Sequence, residues 1–298
     1  MNNQKENKFK SGYVAIIGKP NVGKSTLLNS LLQYKLSIVS PKPQTTRHRI
    51  LGILNGENFQ AIFIDTPGMI KPTYPLQKIM QKEVKTALED ADLILLMIEP
   101  KDLPEANEKK MIQSLIKKPA ILVINKIDTV AKTELLPIIE EYSQMGFKEI
   151  FPISALYNDG VEDLKQGIVE NLPEGAPFYP PDQITERPER FFVAEIIREA
   201  IFTNYGEEIP YSTTVEIEEF KEREKGKDYI RAIIYTERPS QKAILIGKEG
   251  QALKKVGSIA RKNIENFLGR AVYLELWVKV KEGWRKDEAF IKEKIYHQ

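Results

Sequence analysis

The chain has 298 residues, 42% of them hydrophobic and 29% charged, which argues against wholesale disorder and suits one medium domain with a smaller partner. It has no cysteine and two histidines, which excludes disulfides, thiolate nucleophiles, zinc–thiolate sites and a histidine-rich metal cluster. The formal net charge is only +2, so any nucleic-acid site has to come from local clustering of cations.

The opening residues Met1 to Lys8 are polar, and no apolar run nears the length of a bilayer span. A cytoplasmic protein is expected. From Tyr13 to Asn171, short β-branched runs alternate with segments of helical period. Val14–Ile17, Ala61–Ile64, Leu93–Ile98 and Ile121–Ile124 are apolar on both faces, as buried parallel strands require. Helices are expected after Lys24 and over Leu76–Leu88, Glu105–Ile116, Leu135–Met145 and Val161–Glu170. The alternation predicts an α/β fold: an open, mostly parallel sheet with helices on both faces and ligands at the carboxyl ends of the strands.

Pro173, Pro177, Pro180, Pro181 and Pro188 then break the rhythm, and a semi-rigid linker is expected over 176–190. It separates a domain over 1–175 from an α+β domain over 191–298. The latter reads as a helix Phe192–Thr203, strands Thr213–Ile217 and Tyr229–Tyr235, a helix near Gln241, a helix Gln251–Phe267 and a strand Val272–Val280. The order is α-β-β-α-α-β.

Gly18-Lys19-Pro20-Asn21-Val22-Gly23-Lys24-Ser25-Thr26 follows a strand and opens a helix, the context of a phosphate-binding loop. Its glycines let backbone N–H groups converge on phosphate oxygens, with the helix N-terminus behind them. Lys24 is expected to bridge the β- and γ-phosphates, and the Ser25 hydroxyl to ligate Mg²⁺. Asp65-Thr66-Pro67-Gly68 ends a strand beside that loop, so Asp65 can hold Mg²⁺, through a water, while the Gly68 amide meets the γ-phosphate. Asn125-Lys126-Ile127-Asp128 decides the base. Asp128 can accept hydrogen bonds from the N1–H and amine of guanine, a donor pair adenine lacks, so GTP is selected over ATP. Asn125 and Lys126 tie the base loop to the phosphate loop, and Ser154-Ala155-Leu156 supplies an amide for guanine O6. In the polar loop Pro43 to His48, Thr46, in preference to Thr45, is expected to complete the Mg²⁺ shell and to let go after hydrolysis.

With all five motifs in order, the first domain resembles the translation-factor-like branch of P-loop GTPases. Ile246-Gly247-Lys248-Glu249-Gly250 followed by a helix, within the α-β-β-α-α-β order, resembles a type II KH domain. The pairing across a Pro-rich linker is similar to that of the Era-like GTPases of bacteria, over nearly the whole chain. Met69 follows Gly68 where Ras-type enzymes carry the water-orienting glutamine, a substitution the Era-like GTPases share. Slow hydrolysis is therefore expected. Asn21 has two readings: a loop asparagine bonded to nearby backbone, or a residue helping to hold K⁺ near the β- and γ-phosphates. Lys24, Asp65, Gly68, Thr46 and Asn21 form the expected catalytic set.

In the second domain, Lys242, Lys248, Lys254, Lys255, Arg261 and Lys262 stand against Glu249 alone, a local charge of about +5. With Ile246, Gly247 and Gly250 these residues form the expected RNA site, where glycines admit a backbone and unpaired bases lie in an apolar groove. Leu253 and Val256 are further candidates for that groove, and Ile246, Leu253 and Val256 each have core packing as their alternative. Trp277 is expected in the core. Trp284 and the basic tail Lys281–Lys294 either extend the RNA surface or cap the domain. The resemblance implies the 3′ end of 16S rRNA as ligand, a role in assembly of the 30S subunit, and peripheral contact with the inner face of the cell membrane. A monomer is expected. The competing reading is a signalling or membrane-associated GTPase whose KH-like module binds protein or lipid.

Overall fold

The computed structural model describes residues 8–115 and 117–296. The opening residues 1–7 and the last residue of the expected helix 105–116 lie outside the described residues. The chain forms two compact units. The first comprises residues up to Ser37, Thr46–Ile70 and Met80–Glu186, and the second Ile38–Thr45, Lys71–Ile79 and Arg187 onward.

The first unit is built on a six-stranded sheet of order β2-β3-β1-β4-β5-β6. Its strands are β1 (Lys10–Gly18), β2 (Ile50–Asn55), β3 (Phe59–Asp65), β4 (Leu93–Ile98), β5 (Ala120–Ile124) and β6 (Ile150–Pro152). Every pairing is parallel except β2 with β3, an antiparallel hairpin closed by Gly56 N–H on the Phe59 carbonyl at 2.9 Å. Helices α1 (Lys24–Leu32), α2 (Pro75–Asp90), α3 (Ala106–Leu115), α4 (Leu136–Gln144) and α5 (Val161–Asn171) connect the strands. All six residues of β4 are buried, which is why that strand reads as an unbroken apolar run. β2 and β6 carry no such unbroken run, because Gly52 interrupts the apolar residues of β2 and β6 is three residues long.

The proline-rich stretch is fastened to this unit. Ser11 N–H donates to the Pro173 carbonyl at 3.0 Å, and Ile53 N–H of edge strand β2 donates to the Ile184 carbonyl at 2.8 Å. The buried Gln60 carboxamide accepts from the amides of Phe178 at 2.7 Å and Tyr179 at 3.0 Å. A segment poor in donors thus lends its carbonyls to the sheet and covers an edge that would otherwise be open.

In the second unit, β7 (Thr214–Lys221), β8 (Asp228–Thr236) and β9 (Val272–Val280) form a sheet in that order, antiparallel then parallel. Helices α6 (Glu189–Asn204), α7 (Ile209–Ser212), α8 (Pro239–Ile246), α9 (Gln251–Leu268) and α10 (Glu288–Ile291) complete it. The order is the expected one, with the short α7 and α10 added. Val193, Ile197 and Ile201 of α6 meet Ile230 and Ile234 of β8 and Val256, Ala260 and Ile264 of α9 in one apolar core.

Candidate functional site

The phosphate loop turns between β1 and α1. Gly18 and Gly23 hold φ of +155° and +103°. A Cβ at Gly18 would lie 2.4 Å from the Met97 carbonyl oxygen, and one at Gly23 would lie 2.2 Å from Asn125 Nδ2, so both positions need glycine for space as well as for conformation. Asn21 is exposed and also left-handed, at φ 66°. Lys19 points away along an ion pair with Glu108 at 2.9 Å, with Asp102 beside it at 3.4 Å. Lys24 is only 6% exposed, and its Nζ donates to the carbonyls of Gly18 at 3.2 Å and Lys19 at 3.0 Å. Burial pushes its pKa down to about 8, against the pull of Asp65.

Three of the expected metal-binding side chains converge. Ser25 Oγ donates to Asp65 Oδ2 at 2.7 Å and lies 3.0 Å from Thr46 Oγ1. Thr45 turns the other way, its hydroxyl donating to the Lys42 carbonyl at 2.7 Å. Asp65 is fully buried, and its Oδ1 has no hydrogen-bond partner. Burial raises its pKa, while the Ser25 hydroxyl and Lys24 oppose the rise. A buried carboxylate with one oxygen to spare beside two hydroxyls is a donor set for a hard cation, which takes oxygen ligands. Among the described residues there is no group of three or more His, Cys, Asp or Glu able to hold a metal. The set therefore suits an ion that completes its shell with ligand oxygens and water.

The turn after β3 closes onto the same loop. Thr66 Oγ1 donates to the Ile16 carbonyl at 2.7 Å, and Met69 N–H to the Gly18 carbonyl at 3.1 Å. A Cβ at Gly68 would sit 2.8 Å from Pro20 Cα, so only glycine brings this backbone so near. The Met69 side chain packs against the apolar core beside the sheet.

At the base end, buried Asn125 donates through Nδ2 to the Val22 carbonyl at 2.8 Å and accepts the Ala155 amide on Oδ1 at 2.9 Å. One side chain thereby joins the phosphate loop to the Ser154-Ala155-Leu156 turn. Ser154 Oγ donates to Asp128 Oδ1 at 2.5 Å and aims the exposed carboxylate, while Lys126 pairs with Glu99. Leu156 is exposed beside that turn.

In the second unit an open groove of about 500 Å³ runs between α9 and β9. Gly250 at the N-cap of α9 and Lys254 and Arg261 on one stripe of the helix line it from that side, and Leu253 lines it while also packing on the core. Ile246 ends α8 and packs on the core, and Gly247, Lys248 and Glu249 make the turn that leads into Gly250 and α9. Gly247 and Gly250 have φ of 71° and 75°. A Cβ at Gly247 would meet Ala252 Cβ at 2.6 Å. Lys255 and Lys262 are exposed but stand outside the lining, and Val256 is core. The lining also takes in Lys227, Ser258, Tyr273 and Leu276, none of which was singled out from sequence. Tyr273 was legible only as an aromatic in an alternating strand, and that β9 is an edge strand emerges only from the sheet order.

Trp277 corrects an expectation. It is 53% exposed, on the face of β9 opposite Leu274, Leu276 and Val278, with Nε1 donating to Glu275 at 2.9 Å. Period-2 alternation sends it outward once its neighbours face the helices. Trp284 instead is fully buried, with Nε1 donating to the Ser212 carbonyl at 2.9 Å. With Ile291 and Ile295 buried and Lys281, Arg285 and Lys294 paired to Asp287, Glu237 and Glu216, the tail caps the domain.

Comparison with known proteins agrees with this geometry. Residues 13–126 match the family model of 50S ribosome-binding GTPases, and residues 208–285 match that of KH domains. The chain is 47% identical over 292 residues to the GTPase Era of Lactobacillus helveticus, covering 97% of this chain and 96% of that protein. It is 49% identical over 282 residues to that of Heliobacterium modesticaldum, covering 94% of each. The chain belongs to the Era GTPase family. Era of Aquifex aeolicus bound to GDP·AlF₄⁻ superposes with a TM-score of 0.93 at 44% identity, over 97% of this chain and all of that one. Equal values hold for an Era complex with MgGDPNP and nucleotides 1506–1542 of 16S ribosomal RNA. This Era-family chain is therefore a GTPase with a C-terminal KH domain, and among the described residues no helix is long and apolar enough to cross a membrane.

Proposed function

We propose that this GTPase binds the single-stranded 3′ end of 16S rRNA in the groove between α9 and β9, and acts in assembly of the 30S subunit, with residues 1–175 as nucleotide domain and 191–298 as RNA domain. The observation that carries this reading is the full-length likeness to a relative holding MgGDPNP and 16S rRNA at once. The groove adds a physical reason. Its glycine-lined mouth, the cations Lys254 and Arg261 and the apolar floor at Leu253 and Leu276 suit a backbone with splayed bases.

Nucleotide is held along residues 18–26, 65–69, 125–128 and 154–156. Lys24 places a buried cation where the β- and γ-phosphates lie, and Asp128 takes the guanine N1–H and amine. Ser25, Thr46 and Asp65 hold Mg²⁺, which neutralises phosphate charge as it develops. The backbone of Gly68 and Met69 faces the γ-phosphate. No side chain of the Met69 type orients the attacking water, and turnover is slow. Asn21 holds K⁺ in the loop, a role tested by comparing turnover in potassium and sodium buffers: equal rates, unchanged in Asn21→Ala, would discard it.

The experiment for the RNA reading is crosslinking in cells. Recovery of 16S rRNA 3′-end sequence on Gly247–Gly250 and Lys254 is the expected result, whereas adducts with protein or lipid alone would replace it with the signalling reading.

A further inference from the structure

Ser37 belongs to none of the nucleotide motifs, yet the first unit builds it into their metal site. Helix α1 carries two polar side chains four positions apart and hence on one face: Ser25, whose hydroxyl bonds Asp65, and Asn29. The Asn29 carboxamide clamps the chain where it returns after the helix. Its Oδ1 accepts the amides of Leu36 at 2.9 Å and Ser37 at 2.8 Å, and its Nδ2 donates to the Ser37 carbonyl at 2.9 Å. The Ser37 backbone is thus fixed at both of its polar groups. Its side chain is 2% exposed, and the hydroxyl has no hydrogen-bond partner. The group beside it is Asp65: burial raises the pKa of that acid, and Ser25, Lys24 and the Ser37 hydroxyl oppose the rise. Oδ2 of Asp65 takes the Ser25 hydroxyl at 2.7 Å, whereas Oδ1 has no partner. A buried donor and a buried acceptor therefore stand close together, just short of a hydrogen bond.

A buried hydroxyl without a partner costs stability, and alanine would fill the same place without that cost. What Ser37 has and alanine lacks is a proton to donate. A carboxylate turns about one bond, and donors on both of its oxygens hold it in one orientation. Ser25 bonds only one of them. We infer that Ser37 is a positioning residue for Asp65: its hydroxyl donates to Oδ1 of the carboxylate and keeps Oδ2 turned towards the side on which Ser25 and Thr46 present their oxygens. A carboxylate already fixed in that orientation leaves less to be ordered when a cation binds, so Ser37 and Mg²⁺ binding support one another. This inference rests on the reading of Asp65 as part of the Mg²⁺ site. Asn29 is what makes it specific to Ser37, because the clamp sits on the same helix as Ser25 and ties both hydroxyls to one rigid element.

The test uses the full chain and measures the Mg²⁺ concentration needed for half-maximal binding of a fluorescent, non-hydrolysable GTP analogue. Affinity for the analogue in EDTA and the thermal unfolding midpoint of the nucleotide-free chain are read beside it. Ser37→Ala removes the donor, and Ser37→Cys keeps the shape with a weak donor in its place. Both are expected to raise the Mg²⁺ requirement at least about fivefold, the scale of one hydrogen bond to a charged group. Affinity in EDTA should be unchanged and the midpoint no lower than in the parent. In an Asp65→Asn background the same substitutions are expected to cost nothing more. A Mg²⁺ requirement within about twofold of the parent in either variant, losses in EDTA equal to those in Mg²⁺, or losses that add to that of Asp65→Asn would each overturn the inference. A lowered midpoint, or a variant that fails to fold, would make the hydroxyl a structural one and overturn it as well. If Asp65→Asn alone leaves the Mg²⁺ requirement unchanged, the assignment of Asp65 fails and the inference falls with it. A raised requirement in Asp65→Asn beside normal Ser37 variants defeats the inference alone.

Discussion

Lys24 shows how a single residue's burial becomes a measurable property. Its pKa is lowered from 10.5 to about 8, chiefly by desolvation. Below pH 8 the free protein already carries the proton that phosphate needs, whereas above pH 8 nucleotide binding has to take one up. GDP affinity is therefore expected to be level up to about pH 8 and then to fall by up to about tenfold per pH unit. Calorimetry in buffers of different ionisation enthalpy should show proton uptake only above that point, and Lys24→Met should abolish the dependence. In the nucleotide-free chain the same shift makes stability rise from pH 8 towards 10.5, because there the unfolded chain binds more protons. Asp128 gives a second residue-scale prediction. Asp128→Asn replaces one acceptor by a donor, so GTP affinity should drop at least about 100-fold while xanthosine triphosphate, which presents a carbonyl there, gains. A competition assay with the two nucleotides reads the result. Both residues were legible in sequence, because their chemistry lies in contiguous motifs. That Ser154 aims Asp128 was not, since the two are 26 positions apart.

At the scale of elements, the turn into α9 is where conformation and space coincide. Gly247→Ala places a Cβ 2.6 Å from Ala252 at a positive φ, so the turn has to shift. RNA affinity is expected to fall more than about tenfold, with GTP hydrolysis in the absence of RNA unchanged. Lys254 and Arg261 share one stripe of α9, and replacing both by Ala should lower the slope of log affinity against log salt by about 1.4 for a single-stranded ligand. Lys255 and Lys262, outside the lining, should change it less. The sequence showed all four cations as one patch. Only the direction of the helix sorts them, because a step of one residue turns a side chain about 100° around the axis.

At the scale of the whole molecule, each unit has its own core, and the C-terminal tail belongs to the second. Trp284→Ala empties a fully buried site and breaks a hydrogen bond to Ser212, so a loss of about 3–5 kcal/mol is expected in denaturant unfolding, with GDP affinity retained. The amino-acid sequence by itself determined the parallel-sheet architecture, the guanine-nucleotide motifs and the KH element order. Those features are local: buried strands need unbroken apolar runs, and a phosphate loop needs neighbouring glycines and a lysine. The tertiary structure alone decided that Trp277 faces out while Trp284 faces in, and that Ile184 of the proline-rich stretch bonds the edge strand β2. Each of these depends on partners more than 20 positions away or on which face of a strand meets the helices, and periodicity within a segment carries neither.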